Sequence, residues 1–432
     1  MTVVTKQLPE ATDQRIEVGQ QPSRNSADFC DPSIANKQQS AGFKITLLTG
    51  GGDKPYALGL AAAVTAAGVV VDFIGSDELD VPELVSNPRV NFLNLRGNQC
   101  PQANRVAKML RILKYYVRLI HYAATAESTV FHILWNNKFE LIDRTLLMLY
   151  YKMMRKRLVL TAHNVNTRKR DGTDSFLNRL SLRIQYSLSD HIFVHSERMK
   201  AELVSDFGRS KDKVSVIPFG INNTVPNTAL TIVDAKHQLG VSQCDKTLLF
   251  FGNITPYKGL EYLITAFARV LKEDNSYRLI IAGRVKGCEN YWRTIEQSIT
   301  SSAIIDRVIQ RIEYVPDEET ELYFKAADVL VLPYTRVFQS GVLLLGYAFG
   351  LPAVATNVGA LADDIIAGRT GLVCEPSDPE DLARAIRTYF NSELYENLEA
   401  RRAQIREFAN EQYSWTKVGE ILMNVYRSVL RK

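Results

Sequence analysis

Two loops in the sequence contain residue types that can bind an anion. The run Gly50-Gly51-Gly52 lies between a predicted strand and a predicted helix, where the lack of Cβ atoms lets backbone N–H groups approach a phosphate. Its spacing fits neither G-x-G-x-x-G nor a P-loop, and a tight turn would use the same residues. Residues 252–259 form the second loop, where Lys258 precedes a helix and can neutralise a diphosphate. The alternative for Lys258 is an ordinary solvent-exposed lysine.

A third segment, Gln339-Ser340-Gly341-Val342, leads into a predicted helix at 343–349. Gln339 and Ser340 can hydrogen-bond to a sugar or a phosphate, and the N–H groups of a first helical turn have no partner within the helix. The alternative for Ser340 is a helix N-cap.

A basic amphipathic helix is predicted around residues 105–118. Its cations, spaced three or four residues apart, are Arg105, Lys108, Arg111, Lys114 and Arg118. Another face carries Val106, Met109, Leu110, Leu113 and Val117. A second basic cluster, Lys152 and 155–157, follows the apolar run 146–151. Both clusters suit anionic lipid headgroups or a lipid diphosphate, and the alternative is a core helix with a solvated cationic face.

These residues belong to a chain in which strands and helices alternate. Predicted strands in the first half lie at 43–48, 130–134, 158–162, 191–194 and 214–217. Those in the second half lie at 247–251, 278–282, 308–312, 329–333, 352–356 and 371–374. This order predicts parallel sheets covered by helices on both faces.

The apolar run 57–71 approaches the length of a membrane span, but its alanines, Gly59 and Gly68 favour a short helix, a turn and a strand ending at 74.

Composition and charge limit the class of protein. A chain of 432 residues, 46% hydrophobic and 23% charged, has the size of two or three globular domains. The five cysteines are scattered, and neither they nor the six histidines have metal-site spacing, so no metal or cofactor is expected. Residues 42–218 contain 25 Lys and Arg against 16 Asp and Glu, a net of +9 that leaves −4 for the rest of the total of +5. The first half therefore has an anionic partner or a strongly solvated face.

Residues 1–41 are polar and lack a hydrophobic period, so we expect a disordered tail. They contain no apolar core of a secretory signal, and the scattered cysteines are typical of a reducing compartment. We expect a cytoplasmic protein, peripheral on the inner face of the plasma membrane if the basic clusters bind lipid.

Several blocks of the second half occur in an order that few families share. They are 252–259, 281–283, 314–317, 327–333, 350–359 and 368–373. Together they resemble the C-terminal domain of the retaining glycosyltransferases of family 4, which have the GT-B fold. The first half is similar more loosely, through its glycine loop, 160–164, 194–197 and 216–222, and residues 413–415 are similar to the start of the family's closing helix.

The resemblance implies an α/β architecture of the GT-B type, with two Rossmann-like domains facing each other across a cleft. It divides the chain into an N-terminal acceptor domain at 42–220, a linker at 221–246 and a nucleotide-sugar donor domain at 247–412. The helix at 413–432 then crosses back and packs on the first domain.

The resemblance also implies roles for individual residues. His163 would lie against the donor sugar and Lys258 would neutralise the donor diphosphate, as the two catalytic residues; His163 has a structural hydrogen bond as its alternative. The expected donor contacts are Gly51, Gly52, Gly252, Asn253, Lys258, Gly283, Tyr314, Val315, Gln339, Ser340, Gly341 and Val342. Lys54 and Tyr56, with the basic helix, are assigned to the acceptor or membrane side. Asp363 falls where the family often has a glutamate; the alternative is a carboxylate in a first helical turn, and we assign it no catalytic role.

The sequence departs from the family pattern at two points. The family usually has an arginine where this chain has Asn253, so one expected cation is missing. The family's two glutamates, separated by seven residues, fall on Val337 and Leu345, or on Phe338 and Gly346 in the other possible frame. Neither frame contains an acid.

The expected activity is transfer of a sugar from a nucleoside-diphosphate sugar to a lipid-linked, polysaccharide or other glycoconjugate acceptor, with retention at the anomeric carbon. The alternatives are a nucleotide-sugar epimerase of the same fold and a catalytically silent binding or scaffolding subunit. Nucleic-acid binding is not expected, because the basic half lacks a recognised module and an interleaved aromatic platform.

Overall fold

The computed structural model of the protein describes residues 43–100, 102–170, 172–223 and 225–431. The predicted tail at 1–41 lies outside the described residues. The described chain contains two parallel sheets.

The strands and helices divide between the two sheets in chain order. The first sheet contains β1 Lys44–Leu48, β2 Val70–Ile74, β3 Val90–Leu93, β4 Val130–Ile133, β5 Arg157–Thr161, β6 His191–Val194 and β7 Val214–Val216. Its helices are α1 Lys54–Ala66, α2 Pro82–Val85, α3 Arg105–Thr125, α4 Glu140–Ile142, α5 Met148–Met153, α6 Thr167–Arg170, α7 Phe176–Leu188 and α8 Glu197–Phe207. A π-helical turn, Asp143–Leu147, joins α4 to α5.

The second half begins after a connection that contains helix α9, Ile232–Gln238. Its strands are β8 Lys246–Phe251, β9 Tyr277–Ala282, β10 Val308–Arg311, β11 Val329–Leu332, β12 Ala353–Thr356 and β13 Gly371–Cys374. Its helices are α10 Leu260–Glu273, α11 Glu289–Ser301, α12 Asp317–Ala326, α13 Gly341–Ala348, α14 Leu361–Asp364, α15 Pro379–Phe390, α16 Glu393–Glu396 and α17 Leu398–Gln412, followed by α18 Trp415–Arg431.

The two sheets share one topological feature that decides where a ligand can bind. Their strand orders are β3-β2-β1-β4-β5-β6-β7 and β10-β9-β8-β11-β12-β13, with parallel pairing. The order reverses between β1 and β4 in the first sheet, and between β8 and β11 in the second. Open α/β sheets bind ligands at such a switch point, beyond the carboxyl ends of the strands. The loops that follow β1, β8 and β11 therefore lie where ligands are expected.

The predicted GT-B architecture is confirmed, and each predicted strand is present with ends shifted by no more than one residue. The apolar run 57–71 is the end of helix α1, a turn at Gly68 with φ +92°, and the start of β2, as predicted. Strand β3 was missed. Three of its four residues are only partly buried and Asn91 is exposed, so it lacks the continuous buried apolar run of an interior strand.

The closing helix α18 packs on the first domain. Val418, Leu422 and Tyr426 are buried in the same core as helix α1. Gly419 allows the close approach, because a Cβ atom there would lie 3.0 Å from the carbonyl oxygen of Ala63. Helix α18, which follows the second sheet in the chain, thus contributes apolar surface to the core of the first domain.

A buried polar network also joins α18 to the first sheet. The Tyr426 hydroxyl lies 2.6 Å from Nδ1 of His132, and Nε2 of His132 lies 2.8 Å from Oγ1 of Thr161. Burial lowers the pKa of His132 to about 3, so the imidazole is neutral near pH 7 and uses both ring nitrogens in hydrogen bonds.

We expect Tyr426→Phe to destabilise the protein by about 1–3 kcal/mol, because it leaves a buried imidazole nitrogen without a partner. Urea unfolding of both proteins measures the difference. Tyr314→Phe, at a side chain that is 61% exposed, is the matched control and should unfold as wild type does. Equal stability of Tyr426→Phe and the control would show that the network contributes nothing.

Candidate functional site

Loops from both domains line one cavity of about 420 Å³ at the facing ends of the two sheets. The first domain contributes Asp53, Pro55, Tyr56, Gly59 and 219–222. The second contributes Asn253, Tyr257, Lys258, Tyr334, Val337, 339–342, Leu344 and Leu345, and Trp415 begins the closing helix. The cavity therefore lies between the two switch points.

The cavity brings together part of the predicted site. The predicted residues on its wall are Tyr56, Asn253, Lys258, Gln339, Ser340, Gly341 and Val342. Those outside its lining are Gly51, Gly52, Lys54, His163, Gly252, Gly283, Tyr314 and Val315. The cations of α3 also lie outside it. No group of three or more His, Cys, Asp or Glu side chains within the described ranges is placed to hold a metal ion.

Lys258 ends a short 3-10 turn, Pro256–Lys258, that follows β8. Its side chain is buried, its Nζ donates a hydrogen bond to the carbonyl oxygen of Phe251 at 3.3 Å, and the ring centroid of Tyr334 lies 5.3 Å from Nζ. Burial lowers the pKa of Lys258 to about 8. No carboxylate of the described residues pairs with it, so an anion in the cavity would stabilise its charge.

Two glycines make room for this lysine. Gly252 has φ +96°, and a Cβ atom there would lie 2.9 Å from Nζ of Lys258. Gly283, at the end of β9, packs on the backbone of Gly252, where a Cβ atom would lie 1.9 Å from the carbonyl oxygen. Both predicted donor residues thus act on the shape of the Lys258 loop from behind the cavity wall.

Asn253 has a cationic neighbour from a different loop. Nε of Arg284, which follows β9, donates to Oδ1 of Asn253 at 3.2 Å. The guanidinium also lies 5.5 Å from the ring centroid of Tyr314. A guanidinium therefore lies beside the position where the family usually has an arginine, although the sequence has an asparagine there.

The segment that leads into α13 has a rigid polar anchor. Ser340 caps the helix, since its Oγ accepts a hydrogen bond from the Leu343 N–H, and it also lines the cavity. Nε2 of Gln339 donates to Oδ2 of Asp364 at 2.9 Å, and the Tyr413 hydroxyl donates to Oδ1 of the same carboxylate at 2.9 Å. Oε1 of Gln339 is buried and has no partner among the described residues. This amide oxygen can accept a hydrogen bond from a ligand.

Burial raises the pKa of Asp364 to about 6. Sequence reasoning singled out the preceding residue, Asp363, which is exposed, and missed Asp364. The pattern of a first helical turn fits either residue, and only the path of the chain decides which carboxylate faces Gln339.

The described lining of the cavity lacks paired acids. Val337 and Leu345, at the positions of the missing glutamates in one of the two possible frames, line the wall, and Phe338 and Gly346 of the other frame are not part of its lining. Asp53 is the one carboxylate among the described lining residues. It caps α1 by accepting a hydrogen bond from the Tyr56 N–H at 2.9 Å, and burial raises its pKa, with a smaller contribution from Asp317.

The glycine run of the first domain has close neighbours on both sides. A Cβ atom at Gly52 would lie 2.0 Å from the indole of Trp135, and one at Gly51 would lie 2.4 Å from the guanidinium of Arg96. Packing by these two side chains explains the small residues without a ligand. A role of Gly51 and Gly52 in donor binding stays a prediction.

His163 lies behind Tyr56, with the two ring centroids 4.6 Å apart, and stacks on Trp135 at 4.2 Å. Nδ1 of His195 lies 3.3 Å from the carbonyl oxygen of Ile217, and Nε2 of His195 lies 3.0 Å from Nδ1 of His163. A carbonyl can only accept, so the protons are on Nδ1 of both rings. Burial lowers the pKa of both histidines, to about 4 for His195.

This tautomer leaves Nε2 of His163 as a buried acceptor without a partner among the described residues. It belongs to a smaller cavity of about 180 Å³, which Arg144 and Asn164 also line. His195 was missed by the sequence reasoning, because nothing in a single sequence pairs two histidines 32 residues apart.

The comparisons with known proteins agree with this architecture. Residues 34–224 match the family described as Glycosyltransferase Family 4, and residues 245–392 match Glycosyl transferases group 1. An uncharacterized glycosyltransferase of Methanocaldococcus jannaschii is 27% identical over 55% of this chain and 60% of its own. A D-inositol 3-phosphate glycosyltransferase of Pseudarthrobacter chlorophenolicus is 30% identical over 53% and 54%. The chain thus spans little more than half the length of these curated relatives.

Solved structures match over more of the chain. Sucrose-phosphate synthase from Thermosynechococcus elongatus has a TM-score of 0.72 at 20% identity, and the match covers 90% of this chain and 99% of that one. Anabaena HepE, solved in complex with UDP-glucose, has a TM-score of 0.68 at 17% identity, covering 89% and 99%. At these identities the likeness shows the fold alone.

Two parallel sheets with their switch points at one cavity, closed by a helix that returns to the first domain, define a protein of the GT-B class. The two family matches together span most of the sequence. The chain belongs to the family 4 glycosyltransferases.

The raised pKa of Asp364 predicts a pH dependence of stability. The folded carboxyl, with a pKa of about 6, binds a proton more tightly than the unfolded one, with a pKa of about 3.9. Its contribution therefore falls as pH rises from about 4 to about 6. Over this range the free energy of unfolding of wild type should fall, relative to Asp364→Asn, by on the order of 2–3 kcal/mol.

Denaturant unfolding of both proteins across this pH range provides the measurement. Asp363→Asn, one residue away and exposed, is the control and should follow wild type. Parallel pH curves for wild type and Asp364→Asn would mean that the carboxylate is not held as described.

Proposed function

We propose that this chain transfers a glycosyl group from a nucleoside-diphosphate sugar to an acceptor, with the donor in the cavity between the two sheets. The observation that carries the proposal is Lys258, a buried ammonium on the cavity wall without a carboxylate partner among the described residues. A buried charge is costly unless an opposite charge compensates it. A diphosphate is an anion of suitable size, and the related fold of Anabaena HepE holds UDP-glucose.

In the proposed reaction the bond between the anomeric carbon and the diphosphate breaks, and a bond forms between that carbon and a hydroxyl oxygen of the acceptor. The hydroxyl proton passes to the departing diphosphate, whose negative charge grows as it leaves. The ammonium of Lys258 and the free N–H groups of the first turn of α13 would stabilise this charge. Oε1 of Gln339, held by Asp364, would accept a hydrogen bond from a donor hydroxyl. Retention of the anomeric configuration is proposed from the family alone, and NMR of the first-formed product tests it.

The acceptor is proposed to bind on the first domain. Tyr56 and Asp53 form that side of the cavity, and Nε2 of His163 would accept a hydrogen bond from a hydroxyl in the smaller cavity. A lipid-linked or other anionic glycan precursor suits the excess of cations in this half of the sequence.

One experiment distinguishes glycosyl transfer from the two alternatives, a nucleotide-sugar epimerase and a catalytically silent subunit. The protein is screened with UDP-, GDP- and ADP-sugars by thermal shift, and the reaction mixture is then analysed by NMR without and with glycan acceptors. Acceptor-dependent release of the nucleoside diphosphate supports transfer. A change of the sugar itself without an acceptor indicates an epimerase, and no shift with any donor indicates a silent subunit.

We expect Lys258→Met to weaken binding of UDP, or of whichever nucleoside diphosphate shifts wild type most, by roughly 10- to 100-fold, since it removes a charged hydrogen-bond donor. Wild-type affinity should also fall as pH rises above about 8, because Lys258 of the unliganded protein loses its proton in this range. A bound diphosphate would favour the protonated lysine, so binding at higher pH requires the uptake of a proton. Lys258→Met should show no such pH dependence.

Isothermal titration calorimetry across this pH range measures both effects. Lys272→Met, at an exposed lysine of α10, is the matched control and should retain wild-type affinity. Unchanged affinity in Lys258→Met would remove the observation on which the proposal rests.

We also propose that Arg284 supplies the cation that the family usually has at Asn253. Arg284→Gln should weaken binding of the same nucleotide by about 3- to 10-fold, as expected for an exposed charged contact. The double variant Asn253→Arg/Arg284→Gln should recover most of the loss. If the single variant binds normally, Arg284 serves only to stack on Tyr314.

A further inference from the structure

Helix α3 has its apolar residues on the outside. Its buried side chains are Tyr115, Leu119 and Ala123, which pack on the sheet. The apolar residues that the sequence placed on one face are exposed by 59–69%: Val106, Met109, Leu110, Leu113 and Val117. The alternative of a core helix with a solvated cationic face is therefore wrong for the face that carries these five residues, because their side chains are exposed and not in the core.

The neighbouring helices continue this apolar surface. Leu146 and Met153, on the helical segment 140–153, are 66% and 74% exposed. Phe176 and Leu177, at the start of α7, are 73% and 63% exposed. Most of the exposed large hydrophobic side chains of the described protein lie on α3, 140–153 and α7.

The three elements form one layer. The Tyr116 hydroxyl of α3 donates to Oδ1 of Asp143, and the Tyr150 hydroxyl donates to the backbone oxygen of Ile120. Nη1 of Arg144 donates to Oδ1 of Asn178 on α7. All three elements bury their inner side chains in the same core on one face of the first sheet. We call their opposite, exposed side the outer face.

On two of the three elements of the outer face, α3 and α7, all the charged side chains are positive. The sequences of α3 and α7 contain no aspartate or glutamate. Exposed cations lie among the apolar residues: Arg105, Lys114, Arg118, Arg179 and Arg183. Apolar side chains mixed with cations are the composition of helices that lie in a membrane interface.

We propose that the outer face binds the surface of an anionic phospholipid bilayer. The cations would contact lipid phosphates and the leucine, methionine and phenylalanine side chains would enter the boundary of the acyl chains. The proposed contact is with the surface of the bilayer. No helix in the described part of the chain is long and apolar enough to cross a bilayer. A second copy of the chain is a poor occupant, because a symmetric contact would oppose cations to cations.

The outer face is connected to the ligand-binding side of the first domain. Nη1 of Arg111 on α3 donates to the backbone oxygen of Asn98, and Arg96, two residues earlier, lies against Gly51 in the loop after β1. A bilayer on the outer face would thus lie close to the region where the acceptor is proposed to bind. The membrane contact itself does not depend on the proposed transfer reaction.

Vesicle co-sedimentation of the full chain tests the proposal, with phosphatidylcholine alone compared with phosphatidylcholine containing phosphatidylglycerol. Wild type should bind the anionic vesicles and lose affinity with added salt. The double variants Leu110→Ser/Leu113→Ser and Lys114→Glu/Arg118→Glu should each lose at least about tenfold in vesicle affinity.

The control is Val233→Ser/Ile305→Ser, which removes two half-exposed apolar side chains outside the outer face and should bind as wild type does. Melting temperature and UDP binding should be unchanged in every variant, so failure here is distinct from failure of the donor site. Absence of wild-type binding to anionic vesicles overturns the proposal. So does self-association that the Leu110→Ser/Leu113→Ser variant abolishes, because the outer face would then bind a second copy.

Discussion

Every paired strand of both sheets runs parallel to its neighbours, and the position of the candidate site depends on this constraint. Parallel pairing requires a helical crossover after each strand, so the carboxyl ends of a sheet meet at one edge. Helix α18 packs its apolar side on α1 and so joins the end of the second half to the first domain. The two edges consequently face one cavity, and a ligand there contacts loops that are far apart in sequence.

The electrostatics of that cavity differ from what the family pattern implies. One buried ammonium, that of Lys258, shares the cavity wall with Val337 and Leu345, and neither frame of the family's glutamate pair supplies an acid there. The carboxylate of Asp364 lies behind the wall and acts through the amide of Gln339. A neutral amide can accept and donate hydrogen bonds without adding negative charge to the cavity wall.

The first domain combines two surfaces of opposite character. Its inner helical surface packs on the sheet, as in any α/β protein, while the outer face exposes apolar side chains and cations that a soluble monomer rarely displays together. Part of the positive charge of the first half, which is evident in the sequence, thus lies on the outer face, beside exposed apolar side chains. A helix can supply both faces because its period places residues three and four apart on the same side.

The sequence alone predicted the alternation of strands and helices, because that depends on local periodicity. The GT-B class and the places of Lys258 and Gln339 at the cavity came from the resemblance of motifs that follow strand ends to those of a known family. Sequence reasoning missed β3, because Asn91 interrupts the apolar run of this edge strand. It could not determine that Arg284 lies beside Asn253, that Asp364 rather than Asp363 holds Gln339, or that His195 fixes the tautomer of His163. These contacts join residues that are distant in sequence or that differ by one position on a helix, so only tertiary packing decides them. The same holds for the outer face of α3, because periodicity defines an apolar stripe but not whether protein or another medium covers it.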